Sequence, residues 1–190
     1  MPPWLRPLPQ GAQRATLEQA DPQVISLIRD CSARNQWPLY LWGETGVGKT
    51  CAAAVAYAMW RQSAMWMSLT ELCDLLNAFN SSPVQLLQVG RVSIEITRNG
   101  LWNRIRKMGL MVIDEIGTRD ASPHRYDALL RLLDTRNGLP LILTGNIEPG
   151  EALARIYDER VQSRIASGVI VHVTGNDRRM DGIESRIIEA

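Results

Sequence analysis

The chain has 190 residues, room for one domain with a real core but not for two comfortable ones, and its 45% apolar and 22% charged residues match a soluble globular protein. Twenty-one Lys plus Arg against 20 Asp plus Glu leave a net charge of +1, so any basic surface has to be local. A spanning helix is excluded because no run of about 18 apolar residues occurs, and a Cys/His zinc site is argued against by an odd three cysteines and only two histidines.

Taken in order, residues 1–11 carry Pro2, Pro3, Pro7 and Pro9 and read as an irregular arm without a signal-peptide pattern. A helix is predicted over about 14–34, with Val24, Ile25, Leu27 and Ile28 on its apolar side. It holds Cys31, which with Cys51 and Cys73 reads as a buried thiol in a reducing cytosol. The first strand falls at about 38–42. It leads into Gly43-Glu44-Thr45-Gly46-Val47-Gly48-Lys49-Thr50, a complete G-x-x-x-x-G-K-[ST] loop, and an Ala-rich helix runs on to about 62. Met65-Trp66-Met67 reads as a short strand. Ser68 and Glu71 then form a capping box, and Leu69, Leu72, Cys73 and Leu76 follow at helical spacing.

No clean period emerges over residues 80–100, where Gly90 and Gly100 bracket a β-branched stretch. A helix at about 101–107 and an apolar strand at 110–114 follow. Ser122-Pro123 opens a helix to about 136, and Leu141-Ile142-Leu143 is another buried strand. A helix at about 157–166 and a strand at 169–173 complete the series. Short apolar strands alternating with helices predict a parallel, three-layer α/β sheet.

The chemistry gathers at the ends of these strands. In the glycine loop, backbone N–H groups close around phosphate oxygens at a helix N-terminus; Lys49 would reach the β- and γ-phosphates and Thr50 would place its hydroxyl on Mg²⁺. Leu110-Met111-Val112-Ile113-Asp114-Glu115 ends in two carboxylates at the edge where a parallel sheet binds ligands. Asp114 would hold Mg²⁺ through water, and Glu115 would orient and deprotonate an attacking water. Asn146, after the strand at 141–143, could bond the γ-phosphate or that water. Arg160 and Arg164 lie four apart on one helix face. A solvated charged face is the plain reading of that pair; the functional one is positive charge supplied to a neighbouring subunit's γ-phosphate.

In this order the motifs resemble an AAA+ ATPase, most closely the DnaC/DnaI-type helicase loaders and their relative IstB, over about residues 35–179. The carriers are the loop at 43–50, Val112-Ile113-Asp114-Glu115-Ile116-Gly117, the Leu129–Arg136 and Pro140–Asn146 segments, Asp158-Glu159-Arg160-Val161-Gln162-Ser163-Arg164, and Gly175-Asn176-Asp177-Arg178-Arg179. The resemblance implies an AAA+ type P-loop sandwich with a parallel five-stranded sheet and a reduced or absent C-terminal lid. It divides the chain into an arm and helix at 1–35, an ATPase domain at 36–179 and a tail at 180–190. It makes Asn146 the sensor-1 residue, Arg160 the arginine finger, Arg164 the second arginine of that box, and Arg178 or Arg179 a late nucleotide-reading residue.

The family's single-strand-contacting helical insertion would fall at about 78–107, with Arg91, Arg98, Arg104, Arg106 and Lys107 around Trp102. Trp102 in the core with a wet arginine face is the equal alternative. The implied function is a slow, Mg²⁺-dependent cytoplasmic ATPase that oligomerises with ATP on single-stranded DNA and loads a replicative hexameric helicase, with no membrane partner. With only about 35 residues before the first strand, the grip on that helicase would be a short peptide. The alternatives are an IstB-like helper of a DNA transposase and, further off, a small P-loop kinase.

Overall fold

The computed structural model describes residues 20–89, 92–117 and 122–175. The arm at 1–11, the first turns of the helix expected from 14, Arg91, Arg178, Arg179 and the tail at 180–190 lie outside them.

Five parallel strands form one sheet in the order β2-β5-β6-β1-β7: β1 (Leu39–Trp42), β2 (Ala64–Ser68), β5 (Leu110–Asp114), β6 (Leu141–Gly145) and β7 (Val169–His172). This is the predicted α/β sandwich. Alternation along the strands sorts side chains to two faces. Leu39, Leu41, Leu110, Val112 and Ile142 pack under α1 (Pro22–Arg34) and α2 (Lys49–Met59). Tyr40, Met65, Met67, Met111, Ile113, Leu141 and Leu143 pack under α3 (Leu69–Ser81), α4 (Arg98–Lys107), α5 (Pro123–Thr135), α6 (Glu151–Ile156) and α7 (Glu159–Ala166). Because all five strands run one way, their C-terminal ends share one edge, and that edge carries the phosphate loop and the acidic turn.

Local signals set most boundaries. Asp21 accepts the Gln23 N–H at 2.8 Å with Pro22 in the first turn, which caps α1. Both bonds of the Ser68–Glu71 capping box are present, at 2.6 and 3.0 Å. Cys31 and Cys73 are buried, and burial pushes both thiols up, so they are inert packing residues; Cys51 is half-buried. Among the described residues no helix is long and apolar enough to cross a membrane.

Two segments differ from expectation. The stretch at 80–100 is an antiparallel hairpin, β3 (Val84–Val89) with β4 (Val92–Thr97). Leu87 and Ile96 face inward to the core, whereas Leu86 on the outer face is 69% exposed. An apolar residue on each face of β3 erases the alternation that would have announced a strand. Thr97 then caps α4 by accepting the Gly100 N–H at 3.1 Å, so that helix begins at Arg98 rather than 101. The helix expected at about 157–166 is α7, and a further short helix, α6, precedes it where none was expected; the two are parted at Tyr157-Asp158. There Asp158 accepts the Val161 N–H at 2.9 Å and starts α7 afresh.

Candidate nucleotide site

The phosphate loop is built by its glycines and by the strand beside it. Gly43 has φ +150°, and a Cβ there would lie 2.2 Å from the Val173 carbonyl oxygen. The loop can therefore leave β1 only if residue 43 has no side chain. The neighbouring chain is held in turn by the Val173 N–H, which donates to the Trp42 carbonyl at 2.7 Å. Gly48 caps α2 in the left-handed region, at φ +100°. Val47 is buried and anchors the loop to the core under α1 and α2, while Glu44 and Thr45 are exposed at its tip. The first N–H groups of α2 thus point out of a closed turn, at the positive end of the helix. Lys49 curls over the same turn, donating from Nζ to the carbonyls of Gly43 at 2.9 Å and Glu44 at 2.6 Å.

Across the edge, Thr144 organises the acidic turn. The register Ile113↔Leu143 sets Asp114 beside Thr144 on adjacent strands. The Thr144 hydroxyl, on a residue only 1% exposed, donates to Asp114 Oδ1 and accepts the Glu115 N–H at 3.1 Å. Its carbonyl accepts the Ile116 N–H at 2.9 Å. Thr50 Oγ1 donates to the same Asp114 oxygen at 3.1 Å, so α2 and β5 meet through the two residues expected to share a cation. Burial is the largest influence on Asp114 and raises its carboxyl above the usual value, against the lowering effect of the two threonine hydroxyls and Lys49. Glu115 is exposed and left-handed, at φ +61°, which swings its side chain out of the strand line.

Asn146 stands against this turn. A Cβ on Gly117 would fall 1.9 Å from Asn146 Oδ1, so glycine at 117 leaves room for the amide. Two buried tyrosines fasten the turns from below. Tyr40 donates to the Ile147 carbonyl at 2.8 Å, and Tyr157 donates to the Ile116 carbonyl. Lys49, Thr50, Asp114, Glu115 and Asn146 are therefore gathered at one edge. Thr144, Gly117, Tyr40 and Tyr157 are the site residues that sequence reasoning missed. Thr144 had one signal, a lone hydroxyl closing an apolar strand, but only strand order and register show which carboxylate it meets.

The two arginines of α7 do not join that group. Arg160 Nε donates to Asp158 Oδ2 at 3.0 Å, its NH2 donates to the Tyr126 hydroxyl, and its side chain is 64% exposed. Arg164 donates to Asp134, near the end of α5, at 2.5 Å. Of the two equal readings of Trp102, the structure favours the core one over stacking on DNA bases. Its side chain is 6% exposed in the core, with the Arg131 guanidinium 4.5 Å from the ring centroid, so no base can reach its face. Arg98 is engaged with the Leu76 carbonyl and Asn80. Of the expected cations, Arg106 and Lys107 are exposed, at the end of α4.

A scan against family models matches residues 14–176 to the IstB-like ATP binding protein family, most of the chain. The chain belongs to the IstB-like ATP-binding family. Among solved structures this IstB-like chain is similar to DnaI, at 22% identity and TM-score 0.67 over 88% of this chain and 95% of that one. It is also similar to the DnaC helicase loader, at 16% identity and TM-score 0.66 over 87% and 100%. A third likeness is to the replication initiator DnaA bound to AMPPCP and single-stranded DNA, at 15% identity and TM-score 0.65; there the IstB-like chain covers 86% of itself but spans only 50% of the initiator. At these identities the likeness is one of fold, an AAA+ type P-loop sandwich. No curated protein sequence matches the chain.

The donor set fits a magnesium nucleotide. Thr50 and Asp114 are within hydrogen-bond reach of each other, and Asp114 is a half-buried carboxylate whose lost hydration a cation would offset. Among the described residues no group of three or more His, Cys, Asp and Glu could hold a metal ion.

Proposed function

We propose that this IstB-like protein is a Mg²⁺-dependent ATPase used as an assembly switch, and that Arg160 of one copy completes the site of the next. The observation that carries the reading is the shared Asp114 oxygen. Thr50 and Thr144 both donate to it, and the same Thr144 hydroxyl holds the backbone of Glu115. One network therefore sets the cation ligands and the general base together. Mg²⁺ on Thr50 and Asp114 would neutralise phosphate charge. Lys49 would exchange its two loop carbonyls for phosphate oxygens. Glu115 would take the proton of an attacking water, and Asn146 would hold that water or the γ-phosphate.

The exposed Arg160, clasped by Tyr126 and Asp158, suits a group offered to another subunit. Mixing subunits tests this. Neither Arg160→Ala nor Lys49→Ala copies should hydrolyse ATP well alone, and mixing them should restore a measurable fraction of activity. No rescue at any ratio removes Arg160 from the neighbouring site.

The biological setting we favour is loading of a replicative hexameric helicase, with the ATP-bound oligomer on single-stranded DNA. It is supported by a fold likeness that spans nearly whole DnaI and DnaC chains. The family match supports a second reading, an IstB-like helper acting with a transposase on double-stranded DNA. The kinase alternative is set aside by family membership.

A further inference from the structure

Tyr157 links two parts of the molecule that the proposed reaction uses separately. Its ring is 7% exposed in the core under α5, α6 and α7, and its hydroxyl donates to the carbonyl of Ile116, the residue after Glu115. Glu115 is the left-handed residue of the acidic turn, a conformation that disfavours a residue with a Cβ. The turn therefore depends on its tethers, which are Thr144 on one side and Tyr157 on the other.

On its other flank Tyr157 is followed by Asp158, at the break between α6 and α7. Asp158 accepts the Val161 N–H through Oδ1, and through Oδ2 it accepts the Tyr126 hydroxyl at 2.7 Å and Arg160 Nε at 3.0 Å. Gln162 Oε1 accepts the Gly150 N–H at 2.9 Å, which locks the start of α6 to α7. A close-packed ring cannot follow a shifted carbonyl without moving the elbow that carries Arg160.

We propose that Tyr157 is a positioning residue that couples the acidic turn of a subunit's own site to the arginine that subunit offers its neighbour. This rests on the reading that Arg160 acts in trans, and the experiment separates the two. Arg160→Ala subunits serve as acceptors. Donors carry Lys49→Ala alone or Lys49→Ala with Tyr157→Phe, and ATP turnover is measured across mixing ratios.

Tyr157→Phe donors should rescue about three- to tenfold less well, the effect of one lost hydrogen bond on alignment. The single Tyr157→Phe variant should keep its affinity for a fluorescent ATP analogue while the Hill coefficient of turnover against ATP falls towards one. A merely structural tyrosine would not move the Hill coefficient. Equal rescue by both donors overturns the coupling and leaves the trans arginine standing. Absence of rescue by Lys49→Ala donors overturns the trans arginine and the coupling with it. Should Tyr157→Phe not fold, Tyr126→Phe, at the half-buried far end of the same path, replaces it in the donor. It should show the same loss, and full rescue there overturns the proposal.

Discussion

Thr144 has one hydroxyl and uses it twice, donating to Asp114 and accepting from Glu115. Three expectations follow around it. Glu115→Gln keeps the turn and its tethers but removes the proposed base. ATP should still bind, and turnover should fall about 10²- to 10⁴-fold in a phosphate-release assay. Turnover at the normal rate would rule Glu115 out.

Asp114 is raised chiefly by burial, so the folded chain without ligand holds its proton to a higher pH than the unfolded chain does. Its ionisation then costs stability as pH rises from the ordinary carboxylate value through the raised one, and that cost is absent below both. Asp114→Asn should therefore melt higher than the parent at neutral pH without Mg²⁺. The gap should close as pH falls towards 4, the ordinary range of an aspartate, and Mg²⁺-dependent turnover should be lost. Gly117→Ala should displace the Asn146 amide, since the nearest atom in its way is the Oδ1 tip at 1.9 Å, with the Asn146 backbone nitrogen in a tight contact at 3.2 Å, and should lower turnover more than it lowers the melting temperature. Lys49, Thr50, Asp114 and Glu115 are legible in sequence because consecutive residues of a motif share one turn. Thr144 is not, because its partner is on another strand.

Among the elements, the end of α4 and the chain entering β6 are joined by a residue the sequence does not advertise. Arg136 is 1% exposed. It donates to the carbonyls of Ile105, Arg106 and Met108 at 3.0, 3.2 and 2.7 Å, and to Pro140 at 2.5 Å. A cation at the C-terminal end of α4 suits the helix dipole. Burial lowers its guanidinium to about 10, still charged at neutral pH. Arg136→Met would fill much of the space and leave those carbonyls without donors. It should destabilise the fold by about 2–4 kcal/mol in urea unfolding, since each buried acceptor left unpaired costs about 1–3 kcal/mol. A loss under ~1 kcal/mol would mean that water replaces the guanidinium. In sequence Arg136 is one more polar residue after a helix; only the folded packing of three elements surrounds it with carbonyls. The hairpin at 84–97 was illegible for a related reason, because its inner face is defined by the core it covers.

At the scale of the whole molecule, a net charge of +1 leaves any contact with DNA to local cations. Arg106 and Lys107 are the exposed pair within the expected region. If the protein works on single strands, single-stranded DNA should stimulate turnover more than duplex at the same stated salt. Arg106→Glu with Lys107→Glu should weaken that stimulation and flatten its salt dependence by about one to two ions. Stronger stimulation by duplex would favour the transposition helper.

The class of fold, the phosphate loop, the acidic strand end and membership of a nucleotide-binding lineage are all legible along the chain. Those depend on local period and on motifs whose residues are neighbours in the chain. Tertiary structure alone decided that Thr144 holds Asp114 and Glu115, that Trp102 is core and closed to bases, and that Arg160 is clasped by Tyr126 and Asp158. Each of those facts is a meeting of side chains from separate elements. Such meetings are set by strand order, register and burial, which no local pattern of residues encodes.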